Sequence, residues 1–179
     1  MNQKTYIKES IITAMCIALC VVLPMAFHLI PNVGSLFSPM HIPVLLCGLI
    51  CGGPFGLFCG LAGPFLSSIL TQMPPMAYLP GMLVELSVYG LIAGLMRKIV
   101  HTKKLYVDLY ICLITSMIAG RIAAGIANAL IFQLGKYSVA IWMSSYFITA
   151  WPGIVAHLVF IPTIVFALEK ANLTPTKYS

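Results

Sequence analysis

Charged residues are scarce in this sequence, and acidic residues are the scarcest of all. Asp and Glu together number 4 of 179 residues, and charged side chains make up 8% of the chain, whereas 60% of the residues are hydrophobic. A soluble domain could not bury that much apolar surface in one core, and the mean hydropathy of +1.01 is typical of an integral membrane protein. The composition therefore excludes a soluble protein.

Catalytic motifs are missing as well. The chain has no HExxH, no GxSxG, no Walker A lysine motif and no two carboxylates spaced for acid and base work. We therefore expect no enzyme activity and no cofactor, and a partner would have to supply ATP hydrolysis. The alternative of an intramembrane enzyme, which would use Glu85, Arg121 or His157, stays open to a test of turnover by the purified protein.

The apolar runs predict a single all-α membrane domain over residues 1–179. A span needs roughly 20 apolar residues to cross about 30 Å of hydrocarbon, so the chain has room for about six. Breakers between the runs place the six predicted helices at about residues 9–28, 41–52, 55–72, 80–95, 106–133 and 142–168. Pro152 and Pro162 are expected to bend the last of them.

The basic residues indicate topology and not a nucleic-acid site, although the net charge is +6. They form no basic face with interleaved aromatics. If both termini are cytoplasmic, eight basic residues lie inside and only Lys136 lies outside. The eight are Lys4, Lys8, Arg97, Lys98, Lys103, Lys104, Lys170 and Lys177. The positive-inside rule therefore predicts six transmembrane helices with N-in, C-in orientation.

Two ionisable residues fall inside predicted spans. Counted at 1.5 Å per residue, Glu85 and Arg121 both lie roughly 8 Å below the outer surface, where each must be paired or face water. They could form a structural ion pair between helices, or they could line an outward-opening cavity that holds a polar ligand. The planar fork of Arg121 would suit a carboxylate or another anionic group.

Further polar and aromatic residues are predicted at the same level of the membrane, and together they favour a small-molecule site at the outer face. Any single aromatic residue at this depth is more often part of an interfacial belt than a ligand contact. The candidate substrate-binding residues are Glu85, Arg121, Asn128, Tyr78, His41, Gln72, Tyr146 and Trp151. His157 is interpreted as a core histidine, and the six cysteines, all within apolar runs, as small buried hydrophobes without a metal.

Small residues at four-residue spacing predict close helix packing. Gly48 and Gly52 are expected to lie on one short helix, and Gly56 and Gly60 on the next, after a turn at Gly53-Pro54. Ala14 and Ala18 make a smooth strip on the first predicted helix, against which another helix could approach closely.

These features resemble the substrate-binding S components of energy-coupling factor (ECF) transporters, in particular the vitamin-type group. The resemblance covers essentially the whole chain. It is carried by the Ala14-x-x-x-Ala18 strip, by SPMHIPVLLCGLICGGPFGLFCGLAGPFLSSIL at residues 38–70, and by GMLVELSVYGLIAGLM at residues 81–96.

The resemblance implies a binding subunit of the bacterial cytoplasmic membrane that captures a vitamin or related micronutrient from outside. It would lie in lipid and work with a transmembrane T component, which Ala14 and Ala18 would contact, and two cytoplasmic ATPase subunits. The implied ligand site lies beneath loop 1, the loop that joins the first two predicted helices. It is formed by this loop and by the outer halves of predicted helices 4, 5 and 6.

Two alternative transport functions stay open. Cobalt and nickel S components begin with Met-His-Ile-Pro and use the free terminal amine with the histidine as metal ligands. Here the same four residues, Met40 to Pro43, are internal, so that amine does not exist. The other alternative is a stand-alone secondary carrier or channel, which would give flux in liposomes without any ATPase.

Overall fold

All regular secondary structure in the described residues is helical. The computed structural model describes residues 3–27, 37–102, 104–133, 137–171 and 173–174. Its helices are α1 (Gln3–Phe27), α2 (His41–Cys51), α3 (Gly53–Thr71), α4 (Leu79–Ile99), α5 (Leu105–Ala127), α6 (Val139–Met143) and α7 (Trp151–Lys170). A π-helical turn extends α5 over Asn128–Phe132, and a second extends α6 over Ser144–Ile148. Most of the predicted loop 1, residues 28–36, lies outside the described residues, as do Lys103, Lys136 and Lys177.

Five helical stretches within these residues are long and apolar enough to cross a membrane. They are α1, α3, α4, α7 and α5 with its π turn, while α2 and the stretch formed by α6 and its π turn are shorter apolar helices. The predicted class, an all-α integral membrane protein, is confirmed. The inward orientation of both termini stays a prediction from charge.

The last predicted helix, residues 142–168, is divided in the structure. Helix begins earlier, at Val139, and a turn at residues 149–150 separates the π turn from α7. Pro152 lies in the first turn of α7, where a residue without an N–H group is tolerated and a new helix can begin. Pro162 lies inside α7, as predicted. Both sides of the break are apolar, so the hydropathy pattern did not reveal it.

Glycines bring α2 and α3 against α4 at backbone distance. A Cβ atom on Gly90 would overlap the Gly56 carbonyl group of α3, and a Cβ on Gly94 would overlap the backbone at Gly53. Gly48 of α2 faces the Gly90 carbonyl in the same way. The close packing that the four-residue glycine spacing predicted therefore occurs, and it fixes the position of α4 at the centre of the bundle.

Five of the six cysteines lie in the apolar interior between α1, α2 and α3, and the sixth, Cys112, lies on α5. All six are buried and free. Cys16, Cys51 and Cys59 are neighbours of the Cys47 thiol, and the Thr13 hydroxyl lies 3.5 Å from the Cys47 sulfur. These thiols pack as small hydrophobes, as the sequence indicated.

An ion pair joins α4 to α7 at the end of the bundle that the charge distribution predicts to be inner. Arg97, which is 2% exposed, donates to Glu169, and Tyr106 stacks on Phe166 with ring centroids 4.8 Å apart. These contacts hold the helices together at the end opposite Glu85 and Arg121.

Candidate functional site

The centre of the candidate site is a tyrosine hydroxyl that lies between a carboxylate and a guanidinium group. The Tyr89 hydroxyl donates to Glu85 Oε1 at 2.8 Å and accepts from Arg121 Nε at 3.0 Å. Arg121 Nε lies 4.0 Å from the same carboxylate oxygen. Glu85 and Tyr89 are one turn apart on α4, and Arg121 comes from α5. The three side chains therefore form one chain of polar contacts across the two helices.

The three side chains that make these contacts are almost completely buried. Tyr89 is 0% exposed, Arg121 5% and Glu85 6%. Gly120 on α5 makes room for the tyrosine, because a Cβ atom there would overlap the Tyr89 ring. Charged groups at such burial need partners of opposite charge or hydrogen-bond donors and acceptors. The local sequence supplies one partner through the four-residue spacing of Glu85 and Tyr89, which places them on the same helix face.

Two histidines adjoin this chain of contacts. His41, the first residue of α2, places Nε2 3.5 Å from Glu85 Oε1. Its ring stacks on the ring of His157 from α7, with centroids 5.6 Å apart and planes 12° from parallel. The backbone of Phe37 and Ser38 also approaches His157. We call the five side chains His41, Glu85, Tyr89, Arg121 and His157 the polar cluster.

Three imidazole nitrogens of the polar cluster have no hydrogen-bond partner within the described part of the chain. They are His41 Nδ1 and both ring nitrogens of His157, which lie near the backbone of Phe37 and Ser38 without hydrogen-bond geometry. The two residues are 5% and 1% exposed. Buried polar atoms are nearly always hydrogen-bonded in native structures, to protein or to other molecules. The arrangement therefore has unused hydrogen-bonding capacity in a buried place.

Aromatic residues from the segment between α5 and α7 cover Arg121. The guanidinium carbon lies 5.3 Å from the centre of the Phe147 ring. The Trp142 indole N–H donates to the backbone carbonyl of Arg121 at 3.0 Å. Trp142 can approach because Gly125 has no Cβ, which would lie 2.6 Å from the indole nitrogen. An aromatic ring thus packs against one face of the Arg121 guanidinium group.

Asn128 and Tyr146 extend the site towards the predicted outer surface. The Asn128 amide donates to the Tyr146 hydroxyl at 3.4 Å. Gly81 of α4 lies against the amide, where a Cβ atom would be 2.7 Å from Oδ1. The π turn that begins at Asn128 follows directly from α5, so Asn128 and Arg121 belong to one continuous helical stretch.

The structure brings five of the eight predicted substrate-binding residues into this region and leaves three elsewhere. Those brought together are His41, Glu85, Arg121, Asn128 and Tyr146. Tyr78 and Trp151 are 67% and 62% exposed, and Gln72 is an exposed residue with left-handed backbone after α3. These three share the predicted depth of the others but lie on the outside of the bundle.

Sequence reasoning missed Tyr89 and Phe147 and assigned His157 only to the core. Tyr89 could have been found, because a hydroxyl one helical turn from a buried carboxylate is placed to donate to it. His157 and Phe147 gave no such signal, since their neighbours in the site come from distant parts of the sequence. The structure also refines the predicted ion pair, because the Tyr89 hydroxyl joins Glu85 to Arg121, whose Nε lies 4.0 Å from the carboxylate.

The described residues contain no group of three His, Cys, Asp or Glu side chains that could hold a metal ion.

A separate groove of about 280 Å³ lies beside the site on the outside of α5, and its lining is almost wholly apolar. It is formed by Ile122, Gly125, Ile126, Ala129, Tyr137, Ser138, Val139 and Trp142. Trp142 is thus shared between this apolar groove and the support of Arg121.

The predicted docking strip lies on the surface of the bundle. Ala14 and Ala18 are exposed on α1, and Val22, one turn further, is 56% exposed. Glu9, Thr13, Cys16 and Cys20 lie on the opposite, buried side of the same helix. The side of α1 that carries the two alanines is therefore free of contacts within the described bundle.

Comparison with known proteins identifies the family. The family model of the ECF transporter substrate-specific component matches residues 8–173, which is most of the chain. No curated protein and no solved structure matches. Members of this family are transport subunits of the cytoplasmic membrane that bind substrate and work with an ECF module, and they are not enzymes. The chain belongs to the substrate-specific components of ECF transporters.

Proposed function

We propose that this S component captures a vitamin or related micronutrient in the polar cluster at the outer end of the bundle. His41, Glu85 and Arg121 would contact the ligand, and Asn128 and Tyr146 would line its path from the outer surface. The observation that carries the proposal is the set of unpartnered imidazole nitrogens beside a buried carboxylate and guanidinium. A ligand that supplies donors and acceptors would satisfy them.

The depth of the polar cluster also supports ligand binding. Glu85 is the seventh residue of α4, so it lies roughly 9 Å from the start of that helix at 1.5 Å per residue. A group at this depth is close enough to the surface to be reached from outside, and deep enough to exclude bulk water. Polar residues within membrane spans typically mark substrate pathways.

The partners of this function are proposed from the family and from the surface of α1. A transmembrane T component would dock on the strip at Ala14 and Ala18, where small side chains permit close helix approach. Two cytoplasmic ATPase subunits would supply the energy for uptake. Membrane lipid would cover the remaining apolar surface of the bundle.

Purification followed by mass spectrometry tests the proposal. The chain, purified from cells grown in rich medium, is expected to carry a small organic molecule. Arg121→Ala should lower the occupancy of that molecule while the variant still elutes as a monodisperse peak in detergent. Loss of folded protein with no selective loss of ligand would favour a purely structural role for Glu85 and Arg121. Stoichiometric cobalt or nickel in place of an organic ligand would refute the vitamin proposal.

Flux measurements separate this function from the stand-alone carrier or channel. The purified chain in proteoliposomes is expected to bind its ligand and to give no net uptake. Uptake should appear only when a T component and ATPase subunits are reconstituted with it and ATP is supplied. Uptake by the chain alone would show a carrier or channel.

A further inference from the structure

The Arg121 guanidinium has unused donors in its own plane. Its Nε donates to Tyr89, and the Phe147 ring lies against its face. Within the described residues, neither terminal nitrogen of Arg121 donates to another side chain. An aromatic ring on the face leaves the edge of a guanidinium open, and the edge carries the paired N–H groups that match a carboxylate.

Glu85 does not occupy that edge. Its oxygen Oε1 accepts from the Tyr89 hydroxyl and lies 3.5 Å from His41, and it approaches Arg121 on the Nε side at 4.0 Å. The hydroxyl of Tyr89 thus holds the carboxylate away from the terminal nitrogens. Glu85 pairs with Arg121 on the Nε side only, so the paired N–H groups of the two terminal nitrogens stay open to a second acceptor.

The groups beside the open edge of Arg121 suit an added anion. One carboxylate, Glu85, and one guanidinium, Arg121, are the charged groups of the polar cluster, and Glu85 accepts its own hydrogen bond from the Tyr89 hydroxyl. The titratable or charged groups around the stacked pair of His41 and His157 are Glu85 and Tyr89 from α4 and Arg121 from α5. A ligand carboxylate at the terminal nitrogens of Arg121 would therefore receive charge-assisted hydrogen bonds while Glu85 keeps the Tyr89 hydroxyl as its donor.

From these three observations we infer that the ligand carries a carboxylate, which binds in the plane of the Arg121 guanidinium through its two terminal nitrogens. The inference rests on the proposed function, because it names the chemical class of the ligand bound in the polar cluster. The unpartnered nitrogens of His41 and His157 then contact the polar body of the same molecule. The acid group is the feature that distinguishes the true ligand from neutral or cationic molecules of similar size.

Matched pairs of compounds test the inference on the unmodified protein. Binding to the purified chain is measured by isothermal titration for nicotinate against nicotinamide, biotin against biotin amide, and pantothenate against pantothenol. The mass of any co-purifying ligand identifies further acids, whose amides are then compared. The acid that binds should bind at least about 30-fold tighter than its neutral partner, since a charge-assisted pair is lost. Equal binding of acid and neutral partner, or a native ligand with no acid group, overturns the inference.

A conservative pair of variants locates the acid-binding group. Arg121→Lys keeps the positive charge but removes the paired donors, so it should weaken binding of the acid at least about tenfold. Arg97→Lys is the matched control. Arg97 is also buried, but it lies at the end of α4 opposite Glu85 and the polar cluster. If both variants lower acid binding equally, or neither does, Arg121 is not the acid-binding group.

The two levels of failure are distinguishable. If the chain binds a neutral ligand tightly, the inference that the ligand carries a carboxylate is wrong, but the proposed binding function still holds. If the wild-type chain carries no organic molecule and binds none of the probes, both the function and its refinement are contradicted. The comparison of acid with neutral partner needs no variant, so it stays decisive even if Arg121→Lys fails to fold.

Discussion

Replacing Tyr89 by phenylalanine removes the hydroxyl group that separates Glu85 from Arg121, and it should weaken ligand binding strongly. The hydroxyl makes two hydrogen bonds, 2.8 Å to Glu85 and 3.0 Å from Arg121, and both partners carry charge. The ring itself is 0% exposed and packs over Gly120, so phenylalanine should fit the same space. The substitution therefore tests the hydroxyl group with little change in packing.

The magnitude follows from the groups involved. A hydrogen bond to a charged group contributes about 1.5–3 kcal/mol. Without the hydroxyl, Glu85 and Arg121 are only 4.0 Å apart and can move into direct contact, which would use the guanidinium edge that we assign to the ligand. The new contact would offset part of the lost stability but would compete with the ligand. We expect affinity to fall by about 10-fold to 150-fold, with a smaller effect on the free energy of unfolding.

Isothermal titration with the co-purifying ligand measures the affinity, and thermal unfolding in the same detergent measures the stability. Tyr106→Phe is the control, because Tyr106 lies at the predicted inner end, where its ring stacks on Phe166. It should change neither quantity. An affinity of Tyr89→Phe within about twofold of the wild type would refute the role of the hydroxyl. Equal losses of affinity and stability would show that Tyr89 only supports the fold.

The remaining predictions concern the helix contacts and the docking surface. Gly90→Ala should lower the melting temperature in detergent, since overpacking against the Gly56 carbonyl costs about 1–3 kcal/mol; an unchanged melting temperature would contradict the backbone contact. Ala18→Leu adds bulk on an exposed face, so stability and ligand binding should be retained while uptake by the assembled transporter is lost. Retained uptake would remove α1 as the docking helix. Glu169→Gln should cost about 1–2 kcal/mol of stability by weakening the pair with Arg97, without an effect on ligand affinity.

The helices and the depth of the two buried charges could be predicted because both depend on position along the chain alone. Apolar runs and breakers define the spans, and a fixed rise per residue converts a residue count into a depth. Glu85 and Arg121 were placed at the same level in this way, and they lie 4.0 Å apart. The glycine spacing also predicted close helix packing, and the structure shows that α4 is the partner of α2 and α3.

The direction in which each side chain faces around its helix was predicted less accurately than its depth. Tyr78 and Trp151 share the depth of the site but are exposed, because a count along the chain does not give rotation about the helix axis. His157 and Phe147 enter the site from segments that are remote in sequence. The break at residues 149–150 separates two apolar stretches, so hydropathy gave no sign of it.

The position of the bound ligand is the sharpest test of whether the polar cluster is the binding site. A structure of the chain determined by cryo-electron microscopy or crystallography with its co-purifying ligand would show that position. We expect ligand density between His41, Glu85, Arg121 and His157, with an acid group at the terminal nitrogens of Arg121. Density in the apolar groove beside Trp142, or at the inner end near Arg97, would contradict this expectation.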